Sequence, residues 1–549
     1  MSERKEHAYI RVLRRQLAEG KIDRREFLRT VTLLGLSASA AYAFAGKAKA
    51  ETKPAMPKGG ILRISMPVRK IEDPHTFSSL SDSNVVRQVT EYLTKTGHDN
   101  ITRPYLLQSW KPSEDLKTWT LHLRRGIKWH NGRDFTADDV IWNLKHVLDD
   151  KTGSSVLGLM KGYMLEEDGE GKTRLWDANA IEKVDSFTIR LNCKVPQLAV
   201  PEHLFHYPLL ILDPEEGGVF GPGSSGTGAF ELVEHEVGKL SVLKARKDYW
   251  GDGPHLDTLE FIDLGGDPQT EVSAFRTKKV DGADSIDVVE FEALKLMPHL
   301  KRYDAVTAGT GLARGKVTEK PFDDARVRKA LRLAIDPRLT QELVRGVLGS
   351  PAEHHHVSPI HPEYAKLPPM WVDKKRNVEA AKRLLAEAGY SRGIDLGRID
   401  CRASPDWEAS AAQAIVEQWR DIGVRCGVNT MPDAKYWEIW DKTRLGFTAW
   451  SHRPLGIMVL GLAYRSGVPW NESSYSNPEF DRLLTEAEGE PDVDKRREVM
   501  AKLEKIMQED GPIVQPFWRT VVTFMDKRVK GFEMHPTFYI FGNELAIES

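Results

Sequence analysis

Two hydrophobic periods alternate along this chain, one of two residues and one near three and a half. Gly59-Gly60-Ile61-Leu62-Arg63-Ile64 reads as an opening strand. Residues 118–124 put Trp119, Leu121 and Leu123 on one face, as a half-buried strand does. Asn131-Gly132 marks a tight turn. Thr136 followed by Asp139 predicts a helix start, and Val140, Leu144, Val147 and Leu148 continue at helical spacing. Phe230 and Leu232, a turn at Gly238-Lys239, then Leu240 and Val242 predict a hairpin. From Asp324 the stripe Val327, Ala330, Leu331, Ala334 predicts a helix. Asn377 is expected to cap another, with Ala380, Ala381, Leu384, Leu385 and Ala388 buried and Gly389 as its stop. A strand at 394–401, a helix at 406–421 and a strand at 424–431 follow, an order that implies parallel pairing. The fold class is α/β, with mixed sheets flanked by helices.

One apolar run breaks this alternation. Polar residues nearly vanish between Val31 and Ala45, with Asp23-Arg24-Arg25-Glu26-Phe27-Leu28 before the run and Ala48-Lys49-Ala50 after it. A basic segment, a short apolar core and a small-residue cleavage site are the parts of a bacterial export signal. Arg24-Arg25 followed by Phe27-Leu28 resembles the twin-arginine class, whose machinery moves folded cargo across the inner membrane. The competing reading is an amphipathic helix opening a cytosolic domain. The run is too short and too rich in Ala, Ser and Gly to span a bilayer stably. Cleavage would start the mature chain near Glu51 in the periplasm, and the removed leader would contribute nothing to a binding cleft. No cysteine sits at a lipid-attachment position after the run, so no lipid anchor is expected.

Composition narrows the partners. A chain of 549 residues implies two or three domains, and 40 % apolar with 29 % charged residues is ordinary for a globular protein. The formal charge is −2; residues 1–50 carry a net +6, so the remainder sits near −8. Such a surface has no field favouring nucleic acid. Cys193, Cys401 and Cys426 are an odd set, so at least one thiol is free. Cys401 and Cys426 flank the helix at 406–421, which leaves both a bridge and buried thiols open. His354-His355-His356 with His361 invites a metal reading. Consecutive residues on an extended chain face opposite ways, so a polar loop after Gly349 is expected and no metal or other cofactor.

Several stretches in order resemble one family: 119–140 (WTLHLRRGIKWHNGRDFTADDV), 226–230 (GTGAF), 248–251 (DYWG), 321–331 (PFDDARVRKAL), 377–390, 475–484 (YSNPEFDRLL) and 511–516 (GPIVQP). They are similar to the family 5 solute-binding proteins of peptide, opine and nickel ABC importers. That resemblance implies a two-lobed periplasmic binding protein fold with a ligand cleft between lobes. Behind a 1–50 signal peptide and a 51–57 linker, it implies a first lobe at 58–275 with an extra subdomain near 100–200. A second lobe would span 276–512, and 513–549 would return to the first. Two connecting strands would form a hinge. Expected partners are a small solute (peptide, opine or saccharide) and a membrane permease, with the binder a monomer.

In peptide-binding members of the family, a Trp-x-x-Asp segment supplies an aspartate for the α-ammonium of the peptide. Here the segment reads Trp450-Ser451-His452-Arg453-Pro454, with arginine at the anchor position. A guanidinium repels an ammonium and pairs bidentately with a carboxylate. The resemblance therefore implies a carboxylate-bearing or polyol-rich ligand group at Arg453; the alternative is that Arg453 pairs internally with an acid such as Glu472. Trp450 and Trp470 are candidates to stack on the ligand, Ser451 and His452 to hydrogen-bond it, and Thr227-Gly228 to bring backbone close to it. A secreted cofactor-dependent enzyme is the competing class. No GxSxG, HExxH or P-loop pattern supports it, and Asp138-Asp139 and Asp323-Asp324 are accounted for as helix starts, so no catalytic residues are assigned.

Overall fold

A computed structural model describes residues 6–44, 56–77, 80–167 and 172–548, without the side chains of 38, 39 and 44. Ala48 and Ala50, with most of the expected linker, lie outside the described residues. The opening strand is Ile61–Ser65, and Thr118–Leu123 buries alternate residues as its period requires. Helix Ala137–Val147 starts where predicted: the Asp139 carboxylate accepts the Thr136 N–H at 2.7 Å. The other helix start differs. Helix Lys374–Glu387 is capped by Asp373, whose extended backbone (φ −156°, ψ 160°) lets its carboxylate accept the Arg376 N–H at 2.9 Å. Asn377 lies a turn inside and ties down the preceding chain, accepting from Val372 N–H and donating to Leu333 and Met370 carbonyls.

One eleven-stranded sheet runs through the molecule. Its first half orders Phe230–Glu236, Leu240–Ala245, Thr258–Ile262, Ile61–Ser65 and Gly282–Ala283; its second half ends in Leu445–Trp450, Ile394–Arg402 and Val424–Met431. The last two pair in parallel around helix Asp406–Arg420, the predicted βαβ unit. Two long antiparallel strands, Leu300–Gly315 and Ile513–Asp526, join the halves. Residues 300–306 pair with 520–526 on the first-half side. After an interruption between Val306 and Thr310, residues 310–314 pair with 513–518 on the other. Gly282–Ala283, just past the expected division at 275/276, pairs with Ile61–Ser65.

A separate four-stranded antiparallel sheet, Leu107–Pro112, Thr118–Leu123, Thr188–Asn192 and Ile181–Asp185, forms a small domain beside the first half. Its helix Val156–Met164 packs on helix Gly456–Ala463, which is apolar all round and buried throughout. All three cysteines are free, and burial pushes the Cys401 and Cys426 thiols up to about 12 and about 11.

The leader segment forms helices Tyr9–Ala18, Arg24–Leu33 and Ala38–Phe44. Phe27, Leu28 and Val31 enter the same hydrophobic cluster as the small domain and the helices after residue 456. Attached, this segment contributes to packing. Among the described residues, no helix is long and apolar enough to cross a membrane.

Candidate functional site

Strand Leu445–Trp450 carries the segment Trp450-Ser451-His452-Arg453 off the second half beside the interrupted stretch of the crossing strands. His452 joins three parts of the fold there. Its Nδ1 accepts the Ala308 N–H at 3.1 Å, and its Nε2–H donates to Asn100 Oδ1 at 2.9 Å. Burial drives the imidazole well below the usual histidine range, so the ring is neutral and the N–H has a fixed place.

Arg453 is 5 % exposed, and its guanidinium lies 5.6 Å from the Tyr207 ring centre. Nη1 donates to the carbonyls of Ser451 (3.2 Å) and His452 (2.9 Å), and Nε has no hydrogen-bond partner. Glu472 is not its partner. That carboxylate accepts from Arg314 Nε (2.8 Å), Trp450 Nε1 (2.8 Å) and Thr448 Oγ1 (2.6 Å). The internal pairing weighed from sequence is thus satisfied by another arginine, and Arg453 keeps donor capacity.

Across from it stands a residue that sequence reasoning missed. Glu202, on the short helix Val200–His203 at the exit of the small domain, is 1 % exposed with neither carboxylate oxygen hydrogen-bonded. Burial pushes its pKa up to about 8, only partly opposed by Arg29. Asn100, Glu202, His206, His452 and Arg453 line one cavity of about 20 Å³, room for a single water. The two halves therefore meet here in a closed arrangement, with a buried acid on one wall and a buried guanidinium on the other. Nothing in the local sequence around Glu202 marks it; its oxygens become significant only once the fold removes them from water.

The remaining sequence candidates fall in different places. Trp450 is buried with its indole N–H committed to Glu472. Trp470 meets Trp450 and Trp440 of the second half and His206 and Tyr207 of the first, an aromatic seam across the closure. Thr227 donates to Glu91 Oε2 at 2.9 Å, and Gly228 lets the chain pass so close to helix Leu80–Val89 that a Cβ would sit 2.5 Å from Gln88 O. Neither joins the Arg453 cavity. Arg24, Arg25, Phe27 and Leu28 open helix Arg24–Leu33, where Arg25 Nε donates to Asp99 O.

The histidine run lies in a loop after Gly349, as expected, and that loop is buried. His354 accepts from Gln515 N–H, His356 bonds the Tyr464 hydroxyl at 2.6 Å, and His361 Nε2–H donates to Arg453 O at 3.0 Å. Left-handed backbone at His354 and His356 (φ 59° and 63°) turns the three rings toward separate partners. They brace the wall that carries Arg453.

Two α/β halves closing on a charged cleft, joined by two crossing strands, define a two-lobed periplasmic binding protein fold. Comparison with known proteins supports that class. The model of the bacterial extracellular solute-binding proteins, family 5, matches residues 102–461, and the chain belongs to this family. It is similar to the periplasmic oligopeptide-binding protein OppA of Escherichia coli (27 % identical, 84 % of this chain and 87 % of that one). It is also similar to the dipeptide-binding protein DppE of Bacillus subtilis (26 %, 83 % and 86 %). Among solved structures it superposes on the E. coli murein tripeptide-binding protein MppA (TM-score 0.79, 22 % identity, 90 % and 99 % covered). It also superposes on AgaA of A. tumefaciens R10 in complex with agropinic acid (TM-score 0.77, 21 %, 89 % and 99 %). The family is one of solute-binding proteins, not of enzymes.

Proposed function

We propose that this protein is the periplasmic solute-binding component of an ABC importer. It captures a peptide-like or opine-like solute bearing a carboxylate and presents it, closed, to a membrane permease. The observation that carries the carboxylate reading is the buried Arg453 with its unpartnered Nε, where a guanidinium can take a carboxylate bidentately. Glu202 on the facing wall adds a place for a ligand cation, so the favoured solute carries both charges. Trp450, Ser451, His452 and Trp470 complete the wall around Arg453, and Thr227-Gly228 support the first lobe from behind. The lobes divide where the crossing strands change partners, near residues 306–310.

Residues 1–50 act in this reading as a twin-arginine signal peptide, recognised at Ala48-Lys49-Ala50 and cut after Ala50, and the mature chain works as a monomer without lipid anchor or cofactor. An N-terminal helix retained in the mature protein is the second reading, favoured by the packing of Phe27 and Val31 in the core.

Mass spectrometry of the solute released by denaturing the purified mature protein identifies the ligand class. Calorimetry with that solute then tests the anchors: Arg453→Gln is expected to weaken binding by about 3 kcal/mol, the scale of a buried charge-assisted pair. An amidated analogue should lose as much with the wild type and little more with the variant. If Arg453→Gln binds as the wild type does, the carboxylate anchor is wrong. Because Glu202 is protonated at neutral pH, a ligand ammonium ionises it, and binding at pH 7 should release protons, read as a dependence of the measured enthalpy on buffer.

A further inference from the structure

A second constellation lies outside the cleft, where the first half meets the small domain. Asp73 and His75 follow strand Ile61–Ser65, and His146 sits in the last turn of helix Ala137–Val147. One ligand-capable atom of each lies within 4.8 Å of those of the other two, and His146 Nε2 is 2.7 Å from Asp73 Oδ2. His75 is fully buried. Its Nε2–H donates to Leu210 O at 2.8 Å, which puts the lone pair on Nδ1, and Nδ1 has no hydrogen-bond partner. A buried imidazole nitrogen with a free lone pair, beside a carboxylate and a second imidazole, is an unmet coordination demand.

Each of the three side chains is already held in place. Asp73 Oδ1 accepts the His75 N–H at 2.9 Å, leaving Oδ2 for the cluster. The His146 ring stacks on Trp142 at 4.9 Å and 12°. The Leu210 carbonyl is the kind of outer partner that orients a metal-bound histidine. Above them passes Gly218, whose left-handed φ of 89° favours glycine; a Cβ there would stand 3.2 Å from His146 Nε2 and 3.3 Å from Asp73 Oδ2. Glycine keeps open the side of the cluster that a side chain would cover. Asp73 and His146 are each about one-quarter exposed, so an ion has an entry path and a fourth position open to water.

We propose that Asp73, His75 and His146 bind one divalent transition ion of the zinc class, which rivets the small domain to the first lobe. Two imidazoles and one carboxylate suit zinc, with three protein ligands and water in the fourth place, and are too rich in nitrogen for calcium or magnesium. The role is structural. The ligands come from both sides of the joint, and the Leu210 and Gly218 contacts bring in the loop that returns from the small domain.

The test is a titration of chelator-treated full-length protein with zinc chloride, and separately with cobalt(II), whose visible d–d absorption reports four-coordination. The expected result is one ion per chain, a four-coordinate cobalt spectrum and a rise in melting temperature on zinc addition. His146→Ala should weaken zinc binding by at least about 100-fold and abolish both the spectrum and the thermal shift. Asp73→Asn keeps the acceptor for the His75 N–H, so it decides the matter should His146→Ala fail to fold. His98→Ala, at a surface pair with Glu533, should change nothing. Zinc affinity unchanged in Asp73→Asn or His146→Ala, or no wild-type binding below about 1 mM, overturns the proposal.

Discussion

At the scale of single residues, a charge that broke a pattern was legible in the sequence, and a group that only burial makes significant was not. Arg453 stands in the chain where the resembled family carries an aspartate, and the fold confirms a buried guanidinium with a spare donor. Glu202, some 250 positions earlier in the sequence, has no local motif. The same burial that creates these groups sets the pH response of the whole fold. Burial raises Glu202 and Glu271 from 4.5 to about 8 and Glu504 to about 9. It lowers His203, His354 and His535 from 6.5 to about 3 and His361 to about 4. Between pH 4.5 and 6.5 the unfolded chain binds protons at these four histidines that the folded one refuses, and the folded chain keeps protons at three acids that the unfolded one has lost. Asp82 and Asp284, raised to about 6, and further buried histidines add to both sides, so the two effects oppose each other in that window. Above 6.5 only the acids differ, the unfolded chain binds fewer protons, and stability falls toward pH 8 to 9. Denaturant unfolding across pH 6.5–9 should therefore show stability falling as pH rises. A plateau extending to pH 9 would mean these acids are ionised in the fold.

At the scale of elements, hydrophobic period located strands and helices well, while capping and exposure escaped it. The βαβ unit at 394–431 and the helix after Thr136 appear where their periods put them, because each buries one face against a continuous sheet. Asn377 and the histidine run did not behave as their residue types suggest. Polar residues were read as ends and loops, yet both are buried and spend their polar atoms tying separate segments together. The two roles are separable by measurement. Asp373→Ala removes an exposed N-cap and should cost about 1 kcal/mol. Asn377→Ala removes three partly buried hydrogen bonds and strands their partners, so it should cost about 2–4 kcal/mol by the same denaturant assay. Equal losses would return the cap to Asn377.

At the scale of the whole molecule, the N-terminal segment, proposed above to be a removable leader, is fastened to the rest of the fold. Family resemblance made the two-lobed fold legible from sequence, since its motifs run the length of the chain. It was silent on the contacts of residues 6–44, which the resembled stretches do not include. Those contacts reach both lobes. On the first-lobe side Arg29 Nε donates to Asn100 O, Arg25 Nε to Asp99 O, and Trp110 Nε1 to Leu33 O. On the second-lobe side the Tyr9 hydroxyl donates to Asp492 Oδ2 at 2.7 Å, and Arg496 lies 4.0 Å from Glu26. Asn100 is also the residue that His452 reaches across the cleft, and Arg29 is the cation that opposes the rise of the Glu202 pKa. A segment fastened to both lobes should stabilise their closed form without ligand, and it places its own arginine near Glu202. Ligand shifts the closure equilibrium only by its differential affinity for the closed state, and a closed cleft of about 20 Å³ admits none until it opens. The full chain should therefore be compact and a weak binder. Small-angle scattering should give the full chain a smaller radius than the chain beginning at Glu51 when both are free of solute, and only the shorter form should contract when solute is added. Solute affinity of the full chain should be lower by about tenfold or more, the population penalty of a cleft held shut at a cost of about 1.4 kcal/mol or more. Equal radii and equal affinities would show that the leader's contacts carry no closure energy.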